Sequence, residues 1–426
     1  MFKTSHKSSA VNSTRLPDAS SQPNSTLRVL FVSHAYVVGV NQGKLNAIAQ
    51  TGNVEVGLLA PSNWKALEWN RLIPLETPYS NIRTYSAPVL FSGRGGAHIY
   101  APWALWQVLN DFRPDIVQVE EEAFSLCAFE LAIWSRFTGK PLAIFGWENI
   151  ERQLPLPRRL TCKIVLNTAR LMLCGNQDGA EIVRRWGYAG LLEVMPQMGV
   201  DPEFFAPRQH KTGCSDRPFQ IGFFGRLAYG KGIDLIFAAV RQLRFQGCND
   251  FRILICGAGS GEAELKQIAQ EQAVADRVIW QGAVCHEQAP EVISQFDVLV
   301  LPSRTTPEWK EQFGHVLIEA MAMGIPVIGS SSGEIPHAIG RSDLIFEEES
   351  ASGLAAILKR MMHDSAWRQE VGNYGLERVN QMYTHQRIAE RLLALWQKLI
   401  PPIENAAAFT TSMKEPIQNE AAGGLN

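Results

Sequence analysis

Several things are scarce or missing in this chain, and each absence narrows what it does. No apolar run reaches the roughly 18 residues that a membrane-crossing helix needs. Residues 1–26 are rich in Ser, Asn and Thr and lack the apolar core of a signal peptide, so they are expected to form a disordered tail, as are residues 404–426. The cysteines number seven, an odd count, and no two have CxxC spacing. They read as reduced, mostly buried thiols of a cytoplasmic protein, and neither a disulfide framework nor a zinc site is expected. Neither sign of charge dominates, with 40 basic against 42 acidic residues, so nothing marks a nucleic-acid partner. There is no internal repeat of solenoid period.

What is present is a chain of 426 residues with 46% hydrophobic content, enough for two or three packed domains. Short apolar runs recur at 28–32, 54–59, 115–119, 141–145 and 171–174. The rhythm restarts at 219–224, 251–256, 277–280, 297–301 and 326–329. Runs of this length without clean alternation suggest strands buried on both faces of parallel sheets. The segments between them have helical period, as in Ile233, Ile236, Phe237 and Val240. Pro196, Pro202, Pro207 and the turn-rich stretch 212–216 mark a break. The fold class read from this pattern is α/β: two doubly wound, Rossmann-like domains facing across a cleft. The boundaries expected are 27–205, 206–383, and a last helix at 384–400 whose packing partner the pattern does not reveal.

The second half carries the chemistry. Phe223-Phe224-Gly225-Arg226 runs as a strand into Leu-Ala-Tyr-Gly230-Lys231-Gly232, and a helix follows. Glycines let backbone amides approach a ligand, and two cations beside a helix N-terminus suit a diphosphate. Further on, Glu311-Gln-Phe313-Gly314-His315 leads into an apolar helix that carries Glu319 and stops at Gly324-Ile-Pro326. Two carboxylates eight residues apart, flanking first-turn amides, suit the hydroxyls of a sugar and a ribose.

Taken together these pieces resemble the family 4 retaining glycosyltransferases of the GT-B fold. The motifs are Phe224-Gly225-Arg226 with Lys231-Gly232, Gly257-Ala-Gly259 after a strand, and Pro302-Ser303 followed by Glu311, Glu319-Ala-Met-Ala and Gly324-Ile-Pro326-Val327. The segment from Pro196 through Gly199-Val200-Asp201 and Phe205 to Pro207 matches the family's hinge. They cover 196–340 densely, whereas the first half matches in layout only. The resemblance implies that Arg226 and Lys231 bind the donor diphosphate and stabilise the leaving nucleotide. It implies that Glu319 holds ribose hydroxyls, that Glu311 contacts the transferred sugar, and that amides near Phe313, Gly314 and His315 help place it. It also implies retention of anomeric configuration, a nucleotide-diphosphate sugar as donor, and a glycan or lipid-linked acceptor. No metal or other cofactor is expected, in keeping with the lack of a clear Asp-x-Asp pair. Two places depart from the family: Gly333-Glu334-Ile-Pro-His337 lacks the usual second glycine and last glutamate, and Phe145-Gly-Trp-Glu148-Asn149 lacks the usual histidine. Glu148 stands there as a polar substitute.

In the first half, the resemblance implies that the turn holding Gly39, Gly43 and Lys44 faces the donor phosphates across the cleft. Residues 152–177 contain Arg152, Arg158, Arg159, Lys163 and Arg170 with no acid after Arg152, a composition that suits contact with an anionic membrane face. Trp64, Trp69, Trp103 and Trp106 are candidates to stack on acceptor sugars. Two rival readings are a Rossmann oxidoreductase using NAD(P), from Cys256-Gly-Ala-Gly-Ser-Gly261 with Asp276, and a sugar-nucleotide-binding subunit without turnover.

Overall fold

The computed structural model describes residues 26–66, 71–208 and 217–400. The two expected tails, Trp69 and Cys214 lie outside the described residues, Thr26 excepted.

The first half builds β1 (Leu27–Val32), β2 (Val54–Pro61), a small hairpin of β3 (Asn63–Ala66) and β4 (Arg71–Pro74), then β5 (Arg83–Ala87). A second hairpin follows, of β6 (Val89–Leu90) and β7 (Ile99–Tyr100), then β8 (Ile116–Val119), β9 (Leu142–Gly146), β10 (Leu171–Cys174) and β11 (Leu191–Val194). Seven of these form one parallel sheet in the order β11-β10-β9-β8-β1-β2-β5. The second half builds β12 (Phe219–Phe224), β13 (Phe251–Cys256), β14 (Val278–Gly282), β15 (Val298–Leu301), β16 (Val327–Ser330) and β17 (Ile345–Phe346). They make a parallel sheet in the order β14-β13-β12-β15-β16-β17. Central strands such as β8, β9 and β15 are buried along their whole length. That burial is why they read as continuous apolar runs and not as alternating ones.

Each sheet is covered by helices on both faces. The last helix, His385–Gln397, belongs in sequence to the second half but packs on the first sheet. Its Trp396 sits edge-on to Phe31, and its indole N–H donates to Gln118 at 2.9 Å. The chain therefore crosses between sheets twice. The two crossings touch: the amide of Val200 donates to Tyr383 O at 2.9 Å, and that of His385 returns to Val200 O at 3.2 Å. Gly199 has no room for a side chain here, since a Cβ would lie 2.7 Å from the backbone of Tyr383 and Thr384. In both sheets the parallel strands aim their carboxyl ends at the cleft, the usual place for ligands in this architecture.

Candidate active site

The carboxyl ends of β12, β13, β15 and β16 deliver the loops singled out by sequence. Glu311, only 6% exposed, is the centre of the arrangement. The Lys231 ammonium lies 2.6 Å from its Oε2, the Ser303 hydroxyl donates to the same oxygen at 2.7 Å, and the ammonium stands 5.0 Å above the Trp309 ring. The cation expected at the phosphates and the acid expected at the sugar are thus in direct contact.

Glu311, Phe313, Gly314 and His315 line a cavity of about 300 Å³ together with Trp147, Gln197 and Met198. Gly314 takes the left-handed conformation (φ 81°) that starts the helix His315–Ala322. One turn further along, Glu319 lines an adjoining cavity of about 480 Å³ with Asn41, Asp201, His286 and His385. His315 and Met198 line both cavities. Burial pushes the Glu319 carboxyl up to about 7 and holds the His315 imidazole down to about 4, so the latter is neutral at ordinary pH. Arg226 is exposed on the loop after β12.

The glycines have a packing reason as well. A Cβ on Gly257 would lie 1.8 Å from Gly225 O, and one on Gly259 would lie 2.1 Å from Leu227 O. These two residues are small because the β12 loop packs on them. Gly232 (φ 64°) meets Pro302 O in the same way, and Gly230 meets the Trp309 ring. Asp276 is engaged by Arg244 at 2.8 Å, which counts against its holding a ribose as the oxidoreductase reading requires.

In the first half, the turn expected at the donor phosphates is packed inward at Gly39, Gly43 and Lys44. Lys44 does not face the cleft. It is 1% exposed, with its ammonium 2.5 Å from Glu120, a carboxylate that also accepts from Tyr36, Gln118 and Gln197. A buried cation needs a buried counter-charge, and Glu120 supplies it from 76 residues away. The Gly39 amide donates to Glu76 at 2.7 Å, and Gly43 is small because His385 packs on it. The cleft-facing members of that turn are Val40 and Asn41. Glu148 is paired with Arg152 at 3.0 Å. Its neighbours are the ones that reach across: Trp147 lines the Glu311 cavity, and Asn149 donates to Glu311 O at 3.1 Å.

The two halves are closed on one another by further bonds. Gln312 donates to Trp147 O at 3.2 Å, the Gln177 amide to Glu334 at 2.8 Å, and Lys310 pairs with Asp178 at 2.6 Å. Sequence reasoning missed Ser303 as the partner of Glu311. It also missed Arg304, a 5% exposed guanidinium held by Asp234 and Glu349 beneath the same loop. No spacing rule points to Arg304, whose partners lie on other loops, whereas Ser303 stands on the same loop as Glu311, 8 residues before it.

Comparison with known proteins agrees with this geometry. Residues 207–378 match the family model of glycosyl transferases group 1. The putative colanic acid biosynthesis glycosyltransferase WcaL of Escherichia coli K12 is 31% identical over 298 residues, 69% of this chain and 73% of that protein. The chain belongs to the group 1 glycosyl transferases. The WcaL of Salmonella typhimurium strain LT2 is 32% identical over 212 residues, 48% of this chain, which spans only about half (51%) of that relative. A GDP-mannose-dependent phosphatidylinositol monomannoside mannosyltransferase of Mycobacterium tuberculosis is 26% identical over 58% of this chain and 65% of its own length. Among solved structures, sucrose-phosphate synthase of Thermosynechococcus elongatus superposes with a TM-score of 0.66 at 20% identity, over 88% of this chain and 99% of that one. Anabaena HepE in complex with UDP gives 0.65 at 16%, over 87% and 100%. The fold is therefore GT-B.

Proposed function

We propose that this protein transfers a sugar from a nucleotide-diphosphate donor to a glycan or lipid-linked acceptor, with retention of configuration and without a metal at the donor phosphates. The observation that carries this is that Glu311, paired with Lys231, lines one cavity with His315, while Glu319 lines the adjoining cavity one helical turn away. Their spacing suits a ligand with a ribose at one end and a hexose at the other.

In this reading Glu319 accepts hydrogen bonds from the ribose hydroxyls, and Arg226 and Lys231 neutralise the diphosphate. Glu311 orients the hexose, and in the ligand-free protein it stores the Lys231 ammonium where the phosphate will come. As the bond to the diphosphate breaks, negative charge grows on the leaving oxygen and positive charge on the sugar ring. A fixed ammonium and a fixed carboxylate stabilise both, and they do so without reorganising. The closed cleft, bridged by Asn149 and Gln312, excludes water from the activated sugar. HepE carries UDP in its solved complex and the mycobacterial relative is named for GDP-mannose, so the base stays open between these kinds.

The acceptor enters from the first half. There the helix Leu156–Thr168 buries Cys162, Val165 and Leu166 and exposes Leu156 (67%) and Leu160 (55%) among Arg158, Arg159 and Lys163. Exposed Leu90 and Phe91 precede Gly96, which lies beside Arg158. Apolar side chains ringed by cations favour an anionic lipid surface and hence a lipid-linked acceptor. No helix among the described residues is long and apolar enough to cross a membrane.

A panel of UDP-, GDP-, ADP- and dTDP-sugars, scored by thermal shift and then by labelled transfer into a lipid extract, tests the proposal. A selective donor, with a product whose anomeric signal by NMR matches the donor's, supports it. Donor binding without nucleotide release, in the presence of acceptor, would favour a subunit without turnover.

A further inference from the structure

Away from the donor cavities, the first sheet gathers three metal-competent side chains at its carboxyl edge. His34 follows β1, Glu121 follows the adjacent β8, and His98 arrives from the β6–β7 hairpin. One ligand atom from each lies within 4.8 Å of the others. His98 and Glu121 are essentially buried (0% and 1%), while the His34 side chain is 18% exposed and leaves a path to solvent.

The hydrogen bonds fix the chemistry of His98. Its Nδ1 is 2.8 Å from Gly95 O, and a carbonyl only accepts, so Nδ1 carries the proton. In the neutral ring Nε2 is then a bare lone pair. That atom is buried, finds no hydrogen-bond partner among the described residues, and faces Glu121 Oε1 at 3.7 Å. Two acceptors thus face one another in a dry place with no proton between them, an arrangement that costs about 1–3 kcal/mol for the orphan alone. A ligating histidine whose other N–H is tied to a backbone carbonyl is the usual second-shell arrangement of a metal site. Glu121 is steadied in turn by the His34 amide at 2.9 Å and the Ser33 hydroxyl at 3.3 Å. The His34 ring, stacked on Trp64 at 4.4 Å, presents Nδ1 at 2.5 Å from the same carboxylate oxygen.

We propose that His34, His98 and Glu121 form a binding site for a divalent transition-metal ion of the zinc class. Ligands on a tetrahedral ion with bonds of about 2.0–2.1 Å sit roughly 3.3 Å apart. The His98–Glu121 separation already approximates this, and the His34–Glu121 pair opens slightly to admit the ion. Two imidazoles and one carboxylate select Zn²⁺, Co²⁺ or Ni²⁺ over Mg²⁺ or Ca²⁺. Three protein ligands leave a fourth position for water or an acceptor oxygen. Trp147, which lines the Glu311 cavity, has its ring 6.3 Å from that of His34, so the ion would stand behind the acceptor-side wall. It is distinct from the donor diphosphate, whose charge Arg226 and Lys231 meet.

The test uses untagged, chelator-stripped full-length protein titrated with ZnCl₂ by calorimetry, with CoCl₂ absorption as a second readout. The expected result is one equivalent of Zn²⁺, a Co²⁺ d–d band of low-coordinate type, and a loss of affinity of at least about 100-fold in His98→Gln. Glu121→Gln should behave the same, and His34→Gln, at the more exposed ligand, decides the matter if the buried variants do not fold. No stoichiometric uptake, or uptake that folded His98→Gln and His34→Gln retain in full, overturns the site.

Discussion

Replacing Lys231 by Met separates two roles that the Lys231–Glu311 pair combines. At 2.6 Å the gross attraction is about 6 kcal/mol at an effective dielectric near 20. The side chains are 17% and 8% exposed, so much of this is offset by the desolvation of both ions. Lys231→Met leaves Glu311 with Ser303 as its remaining hydroxyl donor, a net loss of about 2–4 kcal/mol of stability. Converting Glu311 to Gln as well removes the stranded charge and should restore most of that loss. Turnover behaves differently. If the ammonium also neutralises the departing diphosphate, its removal costs about 10²–10³ in kcat, and the double variant stays inactive although it is stable again. Denaturant unfolding and donor turnover, measured on wild type, both single variants and the double, give the cycle. Turnover of Lys231→Met within about threefold of wild type, in a folded protein, would refute the reasoning, since a merely structural lysine predicts it.

Three further expectations follow from the same contacts. Lys44→Met strands the buried Glu120 and should cost about 3–5 kcal/mol in unfolding experiments, with donor KM unchanged in the folded fraction; a raised KM without destabilisation would return Lys44 to the cleft. Glu319 has its folded pKa raised by burial from 4.5 to about 7, so the folded chain holds the extra proton between those values and stability falls as pH rises through that window. Glu319→Gln lacks this slope and should be about 1–3 kcal/mol more stable than wild type at pH 8, while nucleotide affinity falls; melts taken at pH 5 and pH 8 check the sign. Gly43→Ala places a Cβ 2.3 Å from His385 Nε2 and should lower stability by about 1–3 kcal/mol, as read by thermal denaturation.

The sheets were legible because parallel strands buried on both faces leave unbroken apolar runs, and ten such runs coincide with ten strands. The strands that escaped are those without such a run. Arg83–Ala87 reads Arg-Thr-Tyr-Ser-Ala because it is an edge strand with exposed and half-exposed positions. Ile345–Phe346 is too short to show a period. The last helix was visible from Ile388, Leu392, Leu395 and Trp396, but its destination was not, since Gln118 and Phe31 lie some 280 residues or more away in sequence. The same limit governs the site. Glu311 and Glu319 announce themselves through local spacing, and the helix that carries Glu319 starts where Gly314 places it. Lys44 looked like a phosphate lysine because a cation in a Gly-rich turn carries no mark of the buried acid that waits for it. Gly257 and Gly259 carry no mark in the sequence of the Gly225 and Leu227 backbone that packs against them. His34, His98 and Glu121 carry no recognisable spacing, and only the convergence of strand ends brings them together.

The claim on which the rest stands is that the donor lies along the wall from Glu319 to Lys231. A crystal structure with a bound nucleoside diphosphate tests it most directly. The account predicts the ribose hydroxyls within hydrogen-bond distance of the Glu319 carboxyl and a phosphate oxygen within about 3 Å of the Lys231 ammonium. A nucleotide seated elsewhere, with the Lys231–Glu311 pair intact and Glu319 facing empty solvent, would contradict it.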